Sequence, residues 1–288
     1  MPELPEVETL RRDLDKEFTG KRIKTVEVTG KRSVRRHPTA KELTSRVEGR
    51  RLVAVERRGK YLLLRLDAPA SGGARATRRG DVVVIHLGMS GQLLRATGRD
   101  PAVAHTHMVI SFAGAQLRFV DPRTFGEVFV SAPDEIAAHV PELAHLGFDP
   151  VEDQMAWNRF AQLLSARHTK LKPLLTDQRF VAGIGNIYAD EILFASGLRY
   201  DRSSADLTPQ EVRRLYRSMG EVLQEAVKHR GSSLADEQYR DLYGRLGQYQ
   251  ELHQVYDREG QPCYRCRNTI TRVRAGGRSN FFCPQCQI

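Results

Sequence analysis

All four cysteines of the 288-residue chain lie between residues 263 and 286, as Cys263-x2-Cys266, sixteen residues, then Cys283-x2-Cys286. Two thiol pairs at that spacing suit the four corners of a tetrahedral zinc site, and their clustering leaves no disulfide framework for the rest of the chain. Short β-rich runs at 269–273 and 280–282 flank Gly276-Gly277, so the ion would fasten a hairpin too small to fold alone. Four thiolates leave no open coordination position, which makes such a zinc structural. Everything before residue 263 must therefore build its core from apolar side chains, and 40% apolar content suffices for two domains and a small module.

Leu4, Val7, Leu10, Leu14 and Phe18 recur at helical steps, with Pro5 acceptable in a first turn. After Gly20 the pattern changes to short β-rich runs at 23–28, 52–56, 61–66, 82–87, 108–112, 116–120 and 127–130, which predicts an antiparallel sandwich or barrel. The Ala-, Gly- and Arg-rich stretch 68–80 reads as a flexible hairpin loop. Helical periodicity resumes with Trp157, Phe160, Leu163 and Leu164. Thr208-Pro209-Gln210-Glu211 spells a capping box ahead of an apolar face of Val212, Leu215, Tyr216, Met219, Val222, Leu223 and Ala226. The expected architecture is α+β and multidomain: a β-sandwich at 1–149 with flanking helices, a helical domain at 150–255 and a four-cysteine zinc finger at 256–288.

Forty-five Lys and Arg against 35 Asp and Glu leave a net charge of +10, which favours a polyanionic partner such as nucleic acid. No apolar run approaches the length of a membrane span, and Met1 to Glu8 lack a basic signal preamble, so a cytoplasmic home is expected.

The chain starts Met1-Pro2-Glu3-Leu4-Pro5-Glu6-Val7-Glu8. A small residue at position 2 permits loss of the initiator Met, leaving a secondary amine with a pKa of about 8. Such an amine can attack the anomeric carbon of a deoxyribose, displace the base and form an iminium, with Glu3 beside it to move protons. The alternative is that Pro2 only starts the chain and the glutamates dress a helix N-terminus. Gly183-Ile184-Gly185-Asn186 is either a helix–helix turn or a close-approach turn whose following helix offers N–H groups to a phosphate, and Asn186 fits as N-cap or as phosphate contact. Arg278, beside the Gly turn of the finger, is either a solvated charge or a phosphate grip.

Together these pieces resemble the formamidopyrimidine-DNA glycosylase family, also called Fpg or MutM. The resemblance runs nearly the length of the chain, through residues 2–9, Arg58-Gly59-Lys60-Tyr61, His86-Leu87-Gly88-Met89-Ser90-Gly91, Asp121-Pro122-Arg123-Thr124-Phe125-Gly126, Lys172-Pro173-Leu174-Leu175, residues 182–191 and the four cysteines. It implies a bifunctional glycosylase/AP lyase acting on oxidised purines and abasic sites in double-stranded DNA, a helix-two-turns-helix element and a monomer in the bacterial cytoplasm, associated with the nucleoid. Pro2 matches the nucleophile, Glu3 the residue that protonates the opened sugar, and Lys60 a lysine supporting catalysis at the phosphate near the lesion. Glu6 and Glu191 match glutamates of the lesion site. Asn186 and Arg278 match the groups that pinch the flanking phosphates, and Lys172 and His86 match further DNA contacts. Met89, Arg123 and Phe125 match the trio filling the gap left by the extruded nucleotide, whose unstacking costs a few kcal/mol.

The chain departs from the family pattern in three places. Residues 231–250 lack the usual Gly-Gly-Ser/Thr-Thr opening of the loop over the extruded base, residues 248–254 lack the usual phenylalanine, and the 68–80 insertion is longer than typical. Lesion preference is therefore open at this level. Leu4 stands where the pyrimidine-preferring endonuclease VIII branch usually has Gly, and with Met89, Arg123 and Phe125 it favours the purine branch. Intact Pro2, Glu3 and Lys60 weigh against a DNA-binding protein without catalysis.

Overall fold

A computed structural model describes residues 1–68 and 80–288. The loop expected at 68–80 thus lies, apart from its two end residues, outside the described residues. Two compact units are formed, one by Met1–His145 with Arg230–Gly247, the other by Leu146–His229 with Gln248–Ile288.

The first unit opens with α1 (Leu4–Phe18), whose first turn carries Pro5. Its strands are β1 (Thr25–Val28), β2 (Leu52–Arg58), β3 (Tyr61–Leu66), β4 (Val82–His86), β5 (Gln92–Ala96), β6 (Thr106–Ser111), β7 (Gln116–Val120) and β8 (Glu127–Ser131). They form two four-stranded antiparallel sheets, ordered β1-β6-β7-β5 and β2-β3-β4-β8. Leu93, Ile110, Leu117 and Phe119 of one sheet share a core with Leu62, Leu64, Ile85 and Val130 of the other, and Leu10, Leu14 and Phe18 of α1 join it. Phe18, fully buried against Phe112 at 4.5 Å between ring centres, contributes about 1.5–3 kcal/mol by removal from water.

Strands β4 and β8 are covered on both faces, which is why they read as unbroken apolar runs. Val82, Val84 and Phe129 point away from the common core and pack with Val140. Ile136 and Leu143, from the one-turn helices at Ile136–His139 and Pro141–Ala144, complete that layer. Strand β5 has no counterpart in the sequence expectation because Leu93 and Leu94 stand side by side and break the two-residue period. The helix Ala40–Val47 was equally hidden: Thr39 caps it, and it buries only Leu43 and Val47.

The second unit holds helices Trp157–Ser165, Leu171–Thr176, Asn186–Ser196 and Pro209–Lys228, and Phe160 of the first and Tyr216 of the last form a ring cluster with Phe148 and Phe180. The last begins with the expected capping box: Glu211 N–H donates to Thr208 Oγ1 at 3.3 Å, and Thr208 N–H to Glu211 Oε2 at 2.8 Å. Helix Asn186–Ser196 is buried almost all round and forms the centre of this unit. Its Phe194 packs with Val255, Cys263, Ile270, Phe281 and Cys283, so the finger shares a core with the helices.

The spatial division differs from the expected boundaries at 149/150 and 255/256. It falls at 145/146, the finger does not stand apart, and Arg230–Gly247 leaves the helical region for the first unit. Leu242 and Tyr239 carry it there by entering the first core. Asp241, fully buried, holds the excursion closed by accepting from Arg230 Nε at 2.8 Å, Arg245 Nε at 2.9 Å and two backbone N–H groups. Only Tyr239 and Leu242 of this stretch enter that core, too few to set up a period that can be seen in sequence.

Candidate functional site

Pro2 and Glu3 are buried where the chain enters α1, with Glu3 as its N-cap. Three residues on, the Glu6 carboxylate, 1% exposed, accepts from Glu3 N–H through Oε2 at 2.8 Å and from Ser232 N–H through Oε1 at 2.7 Å. Gly231 (φ +78°) lies so close that a Cβ there would meet Glu6 Oε1 at 2.5 Å. Glu6 thus joins the chain start to the Arg230–Gly247 excursion.

Lys60, 9% exposed, sits on the tight β2–β3 turn, where Gly59 takes φ +57°. Across the sheet Tyr61 pairs with His86 and His86 with Glu127, and the Tyr61 and His86 rings stack at 4.6 Å. Burial pushes the His86 imidazole down to about 4, assisted by Lys60, Arg35 and Arg36 and opposed by Glu127. His86 is therefore neutral near pH 7. Gly88 N–H donates to His86 Nδ1 at 3.3 Å, which leaves the proton on Nε2.

Met89, on the β4–β5 loop, and Phe125, on the β7–β8 loop, are 40% and 45% exposed. The Arg123 guanidinium lies over the Phe125 ring at 5.0 Å. The two loops are locked back to back. A Cβ on Gly88 (φ +62°) would come within 2.6 Å of the Phe125 and Gly126 backbone. Asp121, 0% exposed, accepts from Ser90 Oγ at 2.6 Å, Gly126 N–H at 2.7 Å and Arg123 N–H at 3.2 Å. Sequence reasoning assigned Asp121 no role of its own; its signal was an Asp at a strand end two residues before the Arg, where carboxylates bind their own turn.

In the second unit, Gly185 rather than Asn186 is the N-cap of helix Asn186–Ser196, and Asn186 is its first residue. Asn186 Oδ1 is buried without a hydrogen-bond partner among the described residues. Gln178 shapes the turn before it, accepting from Gly183 N–H at 2.8 Å and donating to Ile184 carbonyl at 2.7 Å. Strands Thr271–Ala275 and Arg278–Phe282 meet at Gly276 and Gly277, both with positive φ as a tight hairpin turn requires. Arg278 is exposed at that tip, and its Nη1 donates to Thr176 Oγ1 at 2.9 Å.

Two expected site residues turn out to be internal. Lys172, expected to contact DNA, is 2% exposed; its ammonium lies 2.7 Å from Asp190 Oδ1 and donates to the Ser279 carbonyl at 2.6 Å. It ties the finger strand to the helices, because an ammonium inside a core must be paired. Glu191, expected in the lesion pocket, is 1% exposed and accepts from the N–H groups of Gln254, Val255 and Tyr256 at 2.8, 2.9 and 2.8 Å. Burial pushes its carboxyl up and those three donors oppose it. It organises the approach to the finger.

The four cysteine Sγ atoms lie within 4.8 Å of one another, Cys263 to Cys286 at 3.9 Å and Cys266 to Cys283 at 3.4 Å. A tetrahedral zinc with Zn–S bonds of about 2.3 Å requires sulfur–sulfur edges of about 3.8 Å, so the donor set fits that ion.

Comparison with known proteins covers most of the chain. Residues 1–128 match the formamidopyrimidine-DNA glycosylase N-terminal domain, residues 146–238 the formamidopyrimidine-DNA glycosylase H2TH domain, and residues 260–288 the zinc finger found in FPG and IleRS. The four cysteines therefore hold one structural zinc ion. Formamidopyrimidine-DNA glycosylase of Pelotomaculum thermopropionicum is 40% identical over 288 residues, 100% of this chain and 99% of that one. That of Heliobacterium modesticaldum is 43% identical over 291 residues, 100% of each chain. The crystal structure of MutM (Fpg) from Thermus thermophilus has a TM-score of 0.84 at 40% identity, covering 99% of this chain and 98% of that one. Lactococcus lactis Fpg in complex with DNA containing an abasic site has a TM-score of 0.86 at 32% identity, covering 99% of each chain.

Proposed function

The chain belongs to the formamidopyrimidine-DNA glycosylase family of DNA-repair enzymes, and from that premise we propose that it excises oxidised purines, 8-oxoguanine and formamidopyrimidines, from duplex DNA and then cleaves the strand as an AP lyase. The observation that carries this reading is the placement of Pro2 and Glu3, buried together at the entry to α1 with Glu6 bonded to the Glu3 backbone.

Once Met1 is removed, the Pro2 nitrogen attacks the anomeric carbon, its lone pair forming the new C–N bond while the glycosidic bond breaks and the base leaves with its electron pair. Glu3 takes the proton shed by the attacking Pro2 nitrogen and delivers it to the ring oxygen as the sugar opens to an iminium, while solvent protonates the departed base. Loss of a proton from the carbon next to the iminium expels the 3′ phosphate. A second elimination expels the 5′ phosphate, and water releases the sugar fragment from Pro2. Lys60 holds the phosphate beside the lesion, and neutral His86 adds a hydrogen bond there. Asn186 and Arg278 grip flanking phosphates. Met89 and Phe125 fill the space left by the extruded nucleotide while Arg123 bonds the orphaned base, cytosine. The enzyme acts as a monomer in the cytoplasm. Among the described residues no helix is long and apolar enough to cross a membrane.

The test is borohydride trapping on duplexes carrying 8-oxoguanine opposite cytosine. Correctly processed enzyme should form a covalent adduct through Pro2, and a chain that retains Met1 should form none. Absence of an adduct from the processed chain rules out the amine mechanism.

A further inference from the structure

Arg57 and Glu8 have no part in the reaction as proposed, yet both are inside the protein: their side chains are 0% and 2% exposed, and Arg57 Nε lies 3.1 Å from Glu8 Oε2. Glu8 sits on α1, five residues beyond Glu3. It also accepts from Arg12 Nε at 2.7 Å and from Arg11 Nε at 3.0 Å. Burial would raise the Glu8 carboxyl, but the bonds from Arg11 and Arg12 and the Arg57 charge together hold it below the usual range. Glu8 is therefore an anion near neutral pH.

The other end of the Arg57 guanidinium reaches the turn that carries Lys60. Arg57 Nη1 donates to the Gly59 carbonyl at 3.1 Å, and Gly59 holds the left-handed φ of +57° that a two-residue turn there requires. One planar group therefore bonds a carboxylate on α1 with one edge and the Gly59-Lys60 turn with another. Its fork geometry fixes direction as well as distance.

An ion pair buried in this way adds little stability over an apolar pair of the same size, because desolvation offsets the attraction. What an apolar pair cannot do is set the angle between two elements. The elements joined are the helix whose entry presents Pro2 and Glu3 and the turn that presents Lys60, and groups acting on one sugar and its phosphate must be held to a fraction of an ångström. We propose that Arg57 and Glu8 are positioning residues that hold the Lys60 turn in register with the Pro2 end of α1. The proposal rests on the Pro2 reading above and adds to it.

The experiment uses full-length, zinc-loaded protein with Met1 removed, and three variants: Arg57→Lys, Glu8→Gln and the apolar double Arg57→Met/Glu8→Leu. Three quantities are read: Kd for a duplex with an uncleavable abasic analogue, the single-turnover rate of borohydride-trappable adduct on abasic duplex, and Tm. Positioning predicts Kd within about threefold of wild type and an adduct rate lower by roughly 10–100-fold in all three, since misplacement of about 1 Å costs rate of that order. The apolar double should keep the wild-type Tm and still be slow. A folded double with the wild-type rate overturns the proposal, as does a rate loss matched by an equal loss of affinity. If the double does not fold, Arg57→Lys decides: it keeps the charge but not the fork, and a wild-type rate refutes positioning. Wild-type protein that forms no adduct fails the Pro2 reading itself, and this inference falls with it.

Discussion

Ser90 and Asp121, 31 positions apart in sequence, are joined by a 2.6 Å hydrogen bond from the serine hydroxyl to the carboxylate, and that bond fastens the loop of Met89 to the loop of Arg123 and Phe125. Asp121→Ala would leave the Ser90 hydroxyl and the Gly126 N–H, both in buried bonds, and the part-buried Arg123 N–H without their acceptor. The expected loss is about 2–4 kcal/mol, for two or more donors left unmet, and about 0.5–1.5 kcal/mol for Ser90→Ala. Urea unfolding measures both. An Asp121→Ala midpoint equal to wild type excludes this role.

That relationship also marks the limit of legibility in the sequence. Elements whose signal is local were readable: α1 from its 3.6-residue stripe, helix Pro209–Lys228 from its capping box, the finger from its cysteine spacing. Met89 and Phe125 were legible only through the family resemblance. Asp121 and Arg57 act through Ser90 and Glu8, 31 and 49 positions away, and no window of sequence contains both ends of such a bond. Lys172 and Glu191, singled out through the family resemblance, are internal in the free protein. Each is held inside by partners well away in sequence, Lys172 by Asp190 and the Ser279 carbonyl and Glu191 by the backbone N–H groups of Gln254, Val255 and Tyr256.

His86 makes stability depend on acid. Its ordinary value is about 6.5 and burial takes it to about 4, so the unfolded chain binds the proton more readily. Its contribution is complete above pH 6.5 and is lost as pH falls from there through 4. The full shift corresponds to about 3 kcal/mol, and partial exposure of the ring reduces the expected loss to about 1–2 kcal/mol. His253, 4% exposed and also pushed by burial to about 4, adds a similar slope in the second unit. Tm measured from pH 7 to 4.5 should fall less steeply for His86→Gln than for wild type; parallel curves exclude the assignment.

Zinc removal should act on the second unit alone. Cys263 and Cys283 belong to the core around Phe194, so chelation should unfold the finger and expose Phe281, while the first unit keeps its melting transition. DNA affinity should fall much further than for Arg278→Ala, which removes one phosphate contact and lowers the salt slope by about 1. Metal-free protein with full affinity across a salt titration would contradict both statements.

Lys172 separates a structural ion pair from a DNA contact. Replacing it with Met leaves the Asp190 carboxylate buried beside apolar neighbours, and burial already pushes that carboxyl upward against the pull of Lys172. Breaking such a pair costs about 3–5 kcal/mol, whereas Lys172→Met with Asp190→Leu removes both charges and should recover part of it, the Phe281 N–H that bonds Asp190 at 3.1 Å losing its acceptor. A surface lysine gripping phosphate would behave differently: the single and the double variants would bind DNA equally poorly and share a lower salt slope. The internal role predicts that the double variant binds with wild-type affinity and slope, because the Phe281 strand stays docked on helix Asn186–Ser196 by its apolar contacts and Arg278 keeps its place at the hairpin tip. Unfolding midpoints and a salt titration of the three proteins distinguish these outcomes, and a double variant that is stable but weak on DNA would return Lys172 to the DNA surface.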